Sequence, residues 1–261
     1  MYIVKLGGSV ITDKSKENTF KQTIMDNLSA EIKKADKKMI IVHGAGSFGH
    51  ILAEKYELNK GFYREDQIQG FTLTHEMVQK LSYLVLKSLC RFKIPAVLIS
   101  PHSMLKLTNH NLEKLDWNIF NDYLNKGFTP VTFGDVVLDN KLGFSICSGD
   151  LLVLALSEYF KPEKVIFVID EEGLYSSNPK IDKKAEFIDS ITSENLMKLT
   201  TIKDKHADVT GGMGGKINTI IKIAQHGIPT IILNGNKPNR LYKVLIDDKT
   251  KKTIIYGEKR I

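Results

Sequence analysis

Short apolar runs that end in glycine or a polar residue alternate along this chain with stretches of helical periodicity. That alternation constrains the fold more than any other feature. Met1–Leu6 (MYIVKL), Met39–Gly44 (MIIVHG), Ala96–Ser100 (AVLIS), Thr129–Phe133 (TPVTF), Lys164–Asp170 (KVIFVID), Thr230–Gly235 (TIILNG) and Thr253–Gly257 (TIIYG) read as strands. Between them, Lys21–Ala35 carries Ile24, Leu28 and Ile32 four apart. Thr74–Phe92 sets Val78, Leu81, Val85 and Leu89 on one face, and Pro95 follows it. Leu151–Phe160 reads as a helix, and Lys216–Gln225 places Ile217, Ile220, Ile221 and Ala224 at core spacing. Val136–Ile146 reads as a hairpin turning at Asp139-Asn140-Lys141. Lys203–Ala207 reads as a polar loop.

Strand–helix alternation predicts an α/β fold: a mainly parallel central sheet with helices on both faces. In such sheets ligands sit beyond the carboxyl ends of the strands, so the loops there are the place to look for chemistry. The 261 residues suit one domain, with no internal repeat and no linker of domain-separating length. An apolar fraction of 42% excludes a largely disordered chain. No apolar run reaches the roughly 18 residues that span a bilayer, and the start reads as strand and turn, not as a secretory signal. Cys90 and Cys147 lie far apart, which suits a reducing cytoplasm and buried thiols. The net charge of +7 is spread along the chain. Its densest local group is Lys249, Lys251 and Lys252, so a small polyanionic ligand is favoured over nucleic acid.

Several loops carry chemical content. KLGGS (Lys5–Ser9) follows a strand; adjacent glycines let N–H groups approach a phosphate and permit φ > 0. The alternative is a plain turn after an edge strand. HGAGSFGH (His43–His50) joins a strand to a helix and contains G-x-G-x-x-G at Gly44, Gly46 and Gly49, a weak dinucleotide signal here because it follows the second strand. As a helix N-terminus it suits any phosphate, with His50 in the first turn beside the anion. SGDLL (Ser148–Leu152) opens another helix, where Asp150 reads equally as a lysine-orienting acid or as part of a cap. DVTGGMGGK (Asp208–Lys216) clusters glycines before Lys216 without Walker A spacing. The acids of IDEEGLYSSNPK (Ile169–Lys180) can face nucleoside hydroxyls, with Tyr175 near a base or sugar, or form a solvated turn. Lys5, Lys14 and Lys216 supply three cations, which suits phosphoryl transfer, where the protein mainly positions groups and neutralises charge. No hydrolase motif competes.

KLGGSVITDK, HGAGSFGH, GDVVLD, SGD, IDEEGLYSSNPK, DVTGGMGGK and LNGNKP occur in an order that resembles the amino acid kinase superfamily over nearly the whole chain. Within it the chain most resembles the archaeal-type isopentenyl phosphate kinase family, on Lys14 in VITDK, GSFGH ending in His50, and DVTGGM before a glycine and lysine. Fosfomycin kinases are the nearest competitor. The resemblance implies a three-layer αβα sandwich, a homodimer, and ATP-Mg²⁺ phosphorylating isopentenyl phosphate to isopentenyl diphosphate in isoprenoid biosynthesis by a mevalonate-type pathway. It implies an acceptor-binding half over about 1–160 and an ATP-binding half over about 161–261.

By the same resemblance, Lys5, Gly7, Gly8 and Ser9 hold ATP phosphates. Gly46 reaches those phosphates and borders the acceptor. Lys14 stabilises the transferring group. Ala45, Gly49, His50 and Gly149 contact the acceptor, with His50 on its phosphate. Asp150 orients the lysines, and Asp170 and Tyr175 fall in the nucleoside region. Gly212, Gly214 and Lys216 close over ATP. Mg²⁺ is held by phosphate oxygens, so no residue is assigned as a dedicated metal ligand. Three departures stand out: Ala45 where many relatives have glycine, Leu151 where some carry a second acid, and IDEEG for the commoner Thr-Asp-Val-Asp-Gly, which leaves Glu172 without an assigned role. The prenyl tail needs an apolar lining, for which Phe71, Met77, Val78 and Tyr83 are candidates. A non-catalytic nucleotide-binding module and a dinucleotide oxidoreductase are the alternatives from other classes.

Overall fold

The computed structural model describes residues 1–177, 179, 181–203 and 214–257. In chain order the elements are β1 (Tyr2–Leu6), α1 (Gly8–Ile11), α2 (Gln22–Ala35), β2 (Met39–His43), α3 (Gly46–Lys55), α4 (Asp66–Arg91), β3 (Ala96–Leu98), α5 (Pro101–Met104), β4 (Leu105–Thr108), β5 (Asn111–Leu115), α6 (Trp117–Asn125) and β6 (Thr129–Phe133). They continue with β7 (Asp135–Asp139), β8 (Gly143–Cys147), α7 (Gly149–Phe160), β9 (Lys164–Ile169), β10 (Leu174–Tyr175), β11 (Phe187–Ile188), β12 (Ser190–Thr192), α8 (Ser193–Lys203), α9 (Gly214–Gln225), β13 (Thr230–Asn234), α10 (Arg240–Leu245) and β14 (Thr253–Tyr256).

An eight-stranded sheet runs β12-β14-β13-β9-β1-β2-β6-β3. The six strands from β13 to β3 are mutually parallel; β14 pairs antiparallel to β13 and β12 follows β14. β1 therefore lies between β9 and β2 and is central, which removes the edge-strand reading of KLGGS. Its side chains alternate between two cores, as strand geometry requires. Ile3 packs with Phe120 and Leu124 of α6, Leu152 and Leu156 of α7, and Ile217 and Ile220 of α9. Tyr2, Val4 and Leu6 pack with Leu28 and Ile32 of α2, Leu81 and Val85 of α4, and Leu241 and Leu245 of α10. Helices cover both faces of one sheet, the predicted three-layer α/β sandwich.

Two differences from the sequence reading matter for the site. α4 starts at Asp66 rather than Thr74, because its first turns bury Gln67, Gly70 and Thr74, which carry no apolar period. The Gln67 side chain fastens the preceding loop to that start: its oxygen accepts the N–H groups of Tyr63 and Arg64 at 2.9 and 3.1 Å. A second sheet, β5-β4-β7-β8, contains the predicted β7–β8 hairpin and an unforeseen one, β4–β5. Asp139 ties them together by accepting N–H bonds from Asn109, His110, Lys141 and Leu142 and the Ser145 hydroxyl. Burial opposes its charge, but the donors from His110, Leu142, Asn109 and Lys141 prevail and hold the carboxyl far below the usual range. Of the predicted polar loop Lys203–Ala207, Lys203 ends α8 and the rest lies outside the described residues.

Candidate active site

The site is built where two glycine loops cross at the carboxyl ends of β1 and β2. A Cβ on Gly8 would lie 2.5 Å from the backbone N of Gly46, and one on Gly7 would lie 2.8 Å from the carbonyl of Val168. Glycine is required here for close approach, not for φ > 0: neither Gly7 nor Gly8 adopts positive φ, whereas Gly46 does, at 52°. Thr12 fastens the crossing. Its hydroxyl donates to the Gly8 carbonyl at 2.7 Å and accepts the Ser47 N–H at 3.0 Å. Ala45, standing where glycine is commoner, takes an ordinary right-handed helical conformation at φ −69° and ψ −25°, so its methyl group costs the backbone nothing.

Two carboxylates organise three lysines beside this crossing. Lys5 ends β1 almost wholly buried and forms an ion pair with Asp150, which also meets Lys216 Nζ at 3.5 Å. The N-cap of α7 is Ser148, whose hydroxyl accepts the Leu151 N–H. Asp150 is thus not engaged as a cap and faces the lysines. Burial pulls the Lys5 pKa down to about 8, with Asp150 opposing and Lys216 adding to the fall. Burial raises the Asp150 carboxyl, but Lys5 and Lys216 outweigh it and leave it below its ordinary range. Asp170, at the end of β9, accepts the Ser9 hydroxyl at 2.7 Å and pairs with Lys14 Nζ at 3.1 Å. Its carboxylate is therefore turned toward the first glycine loop. Glu172 is clamped by Arg240 at 2.7 Å and by Asn234 at 3.0 Å, which braces the loop after β9 against the loop after β13.

His50 is the fifth residue of α3, one turn further along than the sequence placed it. Desolvation lowers its pKa, and Lys5, Lys216 and Lys14 lower it further against Asp150. Gly49 lets α3 close on α4, since a Cβ there would lie 2.7 Å from the Ala45 Cβ and 2.8 Å from a Val78 methyl. Gly149 brings the start of α7 against β2 and Lys5, with a Cβ position 3.3 Å from the His43 carbonyl and 3.4 Å from Lys5 Cε.

One cleft of about 590 Å³ joins these groups. Gly8 and Gly46 line it at the crossing, Ser9, Lys14 and Asp170 line it as one bonded group, and Gly7, Tyr175, Lys216, Leu196 and Leu199 line it too. Ala45, Gly49 and Val78, in contact through Gly49, line it with His50, Gly149 and Ile51, and with the apolar cluster of Ala53, Val136 and Ile146. Ser47 and Thr74 also line this space, and their buried hydroxyl oxygens have no protein partner. Gly214 opens α9, whereas Gly212 lies outside the described residues.

Of the four residues proposed to line the apolar end, only Val78 does so. Phe71 packs against Phe144 beside that end, Met77 packs against the core on the far face of α4, and Tyr83 is 60% exposed. One helix carries all four, but its turns direct them differently. The residues missed, Ile51, Ala53, Val136 and Ile146, belong to α3 and to the β7–β8 hairpin. In sequence they are indistinguishable from ordinary core positions.

The fold and the whole length of the chain have known counterparts. The amino acid kinase family pattern matches residues 1–234. The chain is 36% identical over 267 residues to the isopentenyl phosphate kinase of Methanothermobacter thermautotrophicus, covering 99% of this chain and 100% of that one. It is 30% identical to the enzyme of that name from Methanocaldococcus jannaschii, covering 98% and 99%. An isopentenyl phosphate kinase crystal structure superposes with a TM-score of 0.87 at 34% identity, over 98% of this chain and 99% of that one. With the fold, the crossed glycine loops and these full-length similarities in hand, the chain belongs to the amino acid kinase family and, within it, to the isopentenyl phosphate kinases.

Proposed function

We propose that this protein transfers the γ-phosphoryl group of ATP to isopentenyl phosphate, giving isopentenyl diphosphate and ADP. The observation that carries the reading is a single cleft in which a wall of Lys5, Lys14, Lys216 and His50 runs into an apolar pocket of Ile51, Ala53, Val78, Val136 and Ile146. That is the complement of two phosphate-bearing molecules meeting head to head, one with a hydrocarbon tail. A fosfomycin-like acceptor would share the cationic wall but would not need this apolar lining.

In the reaction an oxygen of the acceptor phosphate attacks the γ-phosphorus. The bond from that phosphorus to the β,γ-bridging oxygen breaks, and ADP leaves with the electron pair. Little covalent chemistry is required of the protein, so its contribution is charge neutralisation and alignment. Gly8 and Gly46 let backbone N–H groups reach phosphate oxygens at the loop crossing, while Gly7, whose N–H is donated to the Val168 carbonyl at 2.8 Å, holds the loop against β9. Lys5 and Lys216, held side by side by Asp150, neutralise ATP oxygens. Lys14, steadied by Asp170, follows the transferring group. His50 binds the acceptor phosphate; a bound dianion reverses the depression of its pKa and favours the imidazolium. Tyr175 and the α8 leucines border the nucleoside. Asp150 and Asp170 are both engaged with lysines, so Mg²⁺, which would shield phosphate charge, would take its ligands mainly from phosphate oxygens. On this reading residues up to about 160 serve the acceptor and the remainder serves ATP, and the chain pairs as a homodimer, which sedimentation analysis tests.

An acceptor screen with ATP and Mg²⁺ decides the reading. Isopentenyl phosphate is expected to be turned over with far higher kcat/KM than fosfomycin or a carboxylate acceptor. Inertness toward isopentenyl phosphate with activity on fosfomycin would reverse the assignment. Tight ATP binding without turnover of any acceptor would leave a regulatory module.

A further inference from the structure

Beside the acceptor end of the cleft, and outside the phosphoryl-transfer machinery, three metal-ligating side chains from three elements converge. His75 of α4, His102 of α5 and Asp135 at the start of β7 each offer one donor atom, and these atoms lie within 4.8 Å of one another. His75 Nδ1 is 2.9 Å from Asp135 Oδ2, and His102 Nδ1 is 3.9 Å from the same oxygen. The two imidazoles meet edge to face with centroids 4.3 Å apart. The Asp135 side chain is fully buried while both imidazoles keep partial access to solvent, at 27% and 38% exposure.

A hydrogen bond from His75 accounts for one of these rings but not for the second. His102 stands too far from Asp135 for a hydrogen bond, yet directs a nitrogen at the same carboxylate oxygen. The remaining partners are modest. The other Asp135 oxygen accepts the Val136 N–H at 2.8 Å, and Gln79 reaches Oδ2 only at 3.5 Å. Among the described residues no lysine or arginine pairs with this carboxylate, so a buried anion lacks a permanent opposite charge. Two imidazole nitrogens and one carboxylate oxygen form the donor set that selects zinc and neighbouring first-row ions over magnesium. A tetrahedral ion at about 2.0–2.2 Å from each donor sets the donors about 3.3–3.6 Å apart, so His75 Nδ1 and Asp135 Oδ2, at 2.9 Å, must open while His102 closes, movements available to partly exposed rings. The solvent side leaves the fourth position to water.

We propose that His75, His102 and Asp135 bind a divalent transition ion of the zinc class, separate from any ion that accompanies ATP. The ion would pin α4, α5 and β7 to one another. Asp135 itself, and Thr74 beside His75, line the cleft, so the ion would brace the wall of the acceptor pocket.

The test uses full-length protein stripped with chelator and titrated by calorimetry with Zn²⁺ in the absence of nucleotide. One equivalent is expected to bind saturably, and His102→Ala is expected to weaken it by about tenfold or more. His226→Ala, at the separate surface pair with Glu158, is expected to leave binding unchanged. Zinc-edge X-ray absorption on the wild-type complex, which needs no variant to fold, is expected to show imidazole nitrogen in the first coordination shell. Absence of saturable binding, equal affinity in His102→Ala and wild type, or a shell without imidazole would each overturn the proposal.

Discussion

Lys5 shows how one side chain can couple activity to pH. Buried under the cleft, it has a pKa of about 8, down from its ordinary 10.5. The lysine must be charged to hold ATP phosphate, so kcat/KM for ATP is expected to fall as pH rises above about 8. A profile flat through that region would contradict the assignment. Stability moves in the opposite sense. Between about 8 and 10.5 the unfolded chain binds more protons than the native state, so the Lys5 contribution to stability increases with pH. His50 has a different task. Replacing it by alanine is expected to reduce kcat/KM for isopentenyl phosphate by about a hundredfold, while ATP affinity measured by calorimetry stays unchanged. Loss of both together would place His50 on ATP instead.

Among the elements, the decisive contact is the crossing of the loop after β1 with the loop after β2. Gly8→Ala puts a methyl group against the Gly46 backbone, which cannot swing aside as a flexible side chain would. A loss of about 1–3 kcal/mol is expected from urea denaturation, together with reduced ATP affinity; full stability would mean that the loops can separate at no cost. Other joints are polar. Glu31 of α2 accepts the N–H groups of Asn239 and Tyr242 at 2.8 and 2.9 Å, and so caps α10 from the neighbouring helix on the same face of the sheet. Sequence periodicity reported α2, α7 and α9 well because each buries a regular apolar stripe. It missed the early turns of α4, whose buried face is Gln67, Gly70 and Thr74, and the β4–β5 hairpin, whose strands carry lysine and glutamate.

For the whole molecule, the sheet gathers residues from position 5 to position 216 into one cleft, and ligands should tie it together. ATP with Mg²⁺ at about a hundred times its Kd is expected to stabilise the protein by about 2.7 kcal/mol. Isopentenyl phosphate should do the same by the same mass-action rule. With the hundredfold loss expressed in affinity, His50→Ala is expected to cut the acceptor's stabilisation at that concentration to about 0.4 kcal/mol and retain that of ATP, as read by thermal unfolding in the presence of each ligand. No described helix is long and apolar enough to cross a membrane.

The chain by itself determined the layered α/β fold, because strand and helix periods are local patterns and their alternation admits few packings. It also marked the loops that carry the site, because glycine pairs and strand-end lysines are rare enough to read directly. Only the tertiary structure decided which groups meet. In sequence Asp150 reads equally as a cap or an acid; in the fold Ser148 takes the cap and leaves Asp150 between Lys5 and Lys216. Asp170 turned to Ser9 and Lys14, and Val78 alone of its four candidates reached the apolar pocket. His75, His102 and Asp135 have no recognisable spacing and become neighbours only because α4, α5 and β7 pack together. The reason is common to all four: the direction of a side chain and the identity of its partner depend on how distant elements pack, and local sequence does not encode that.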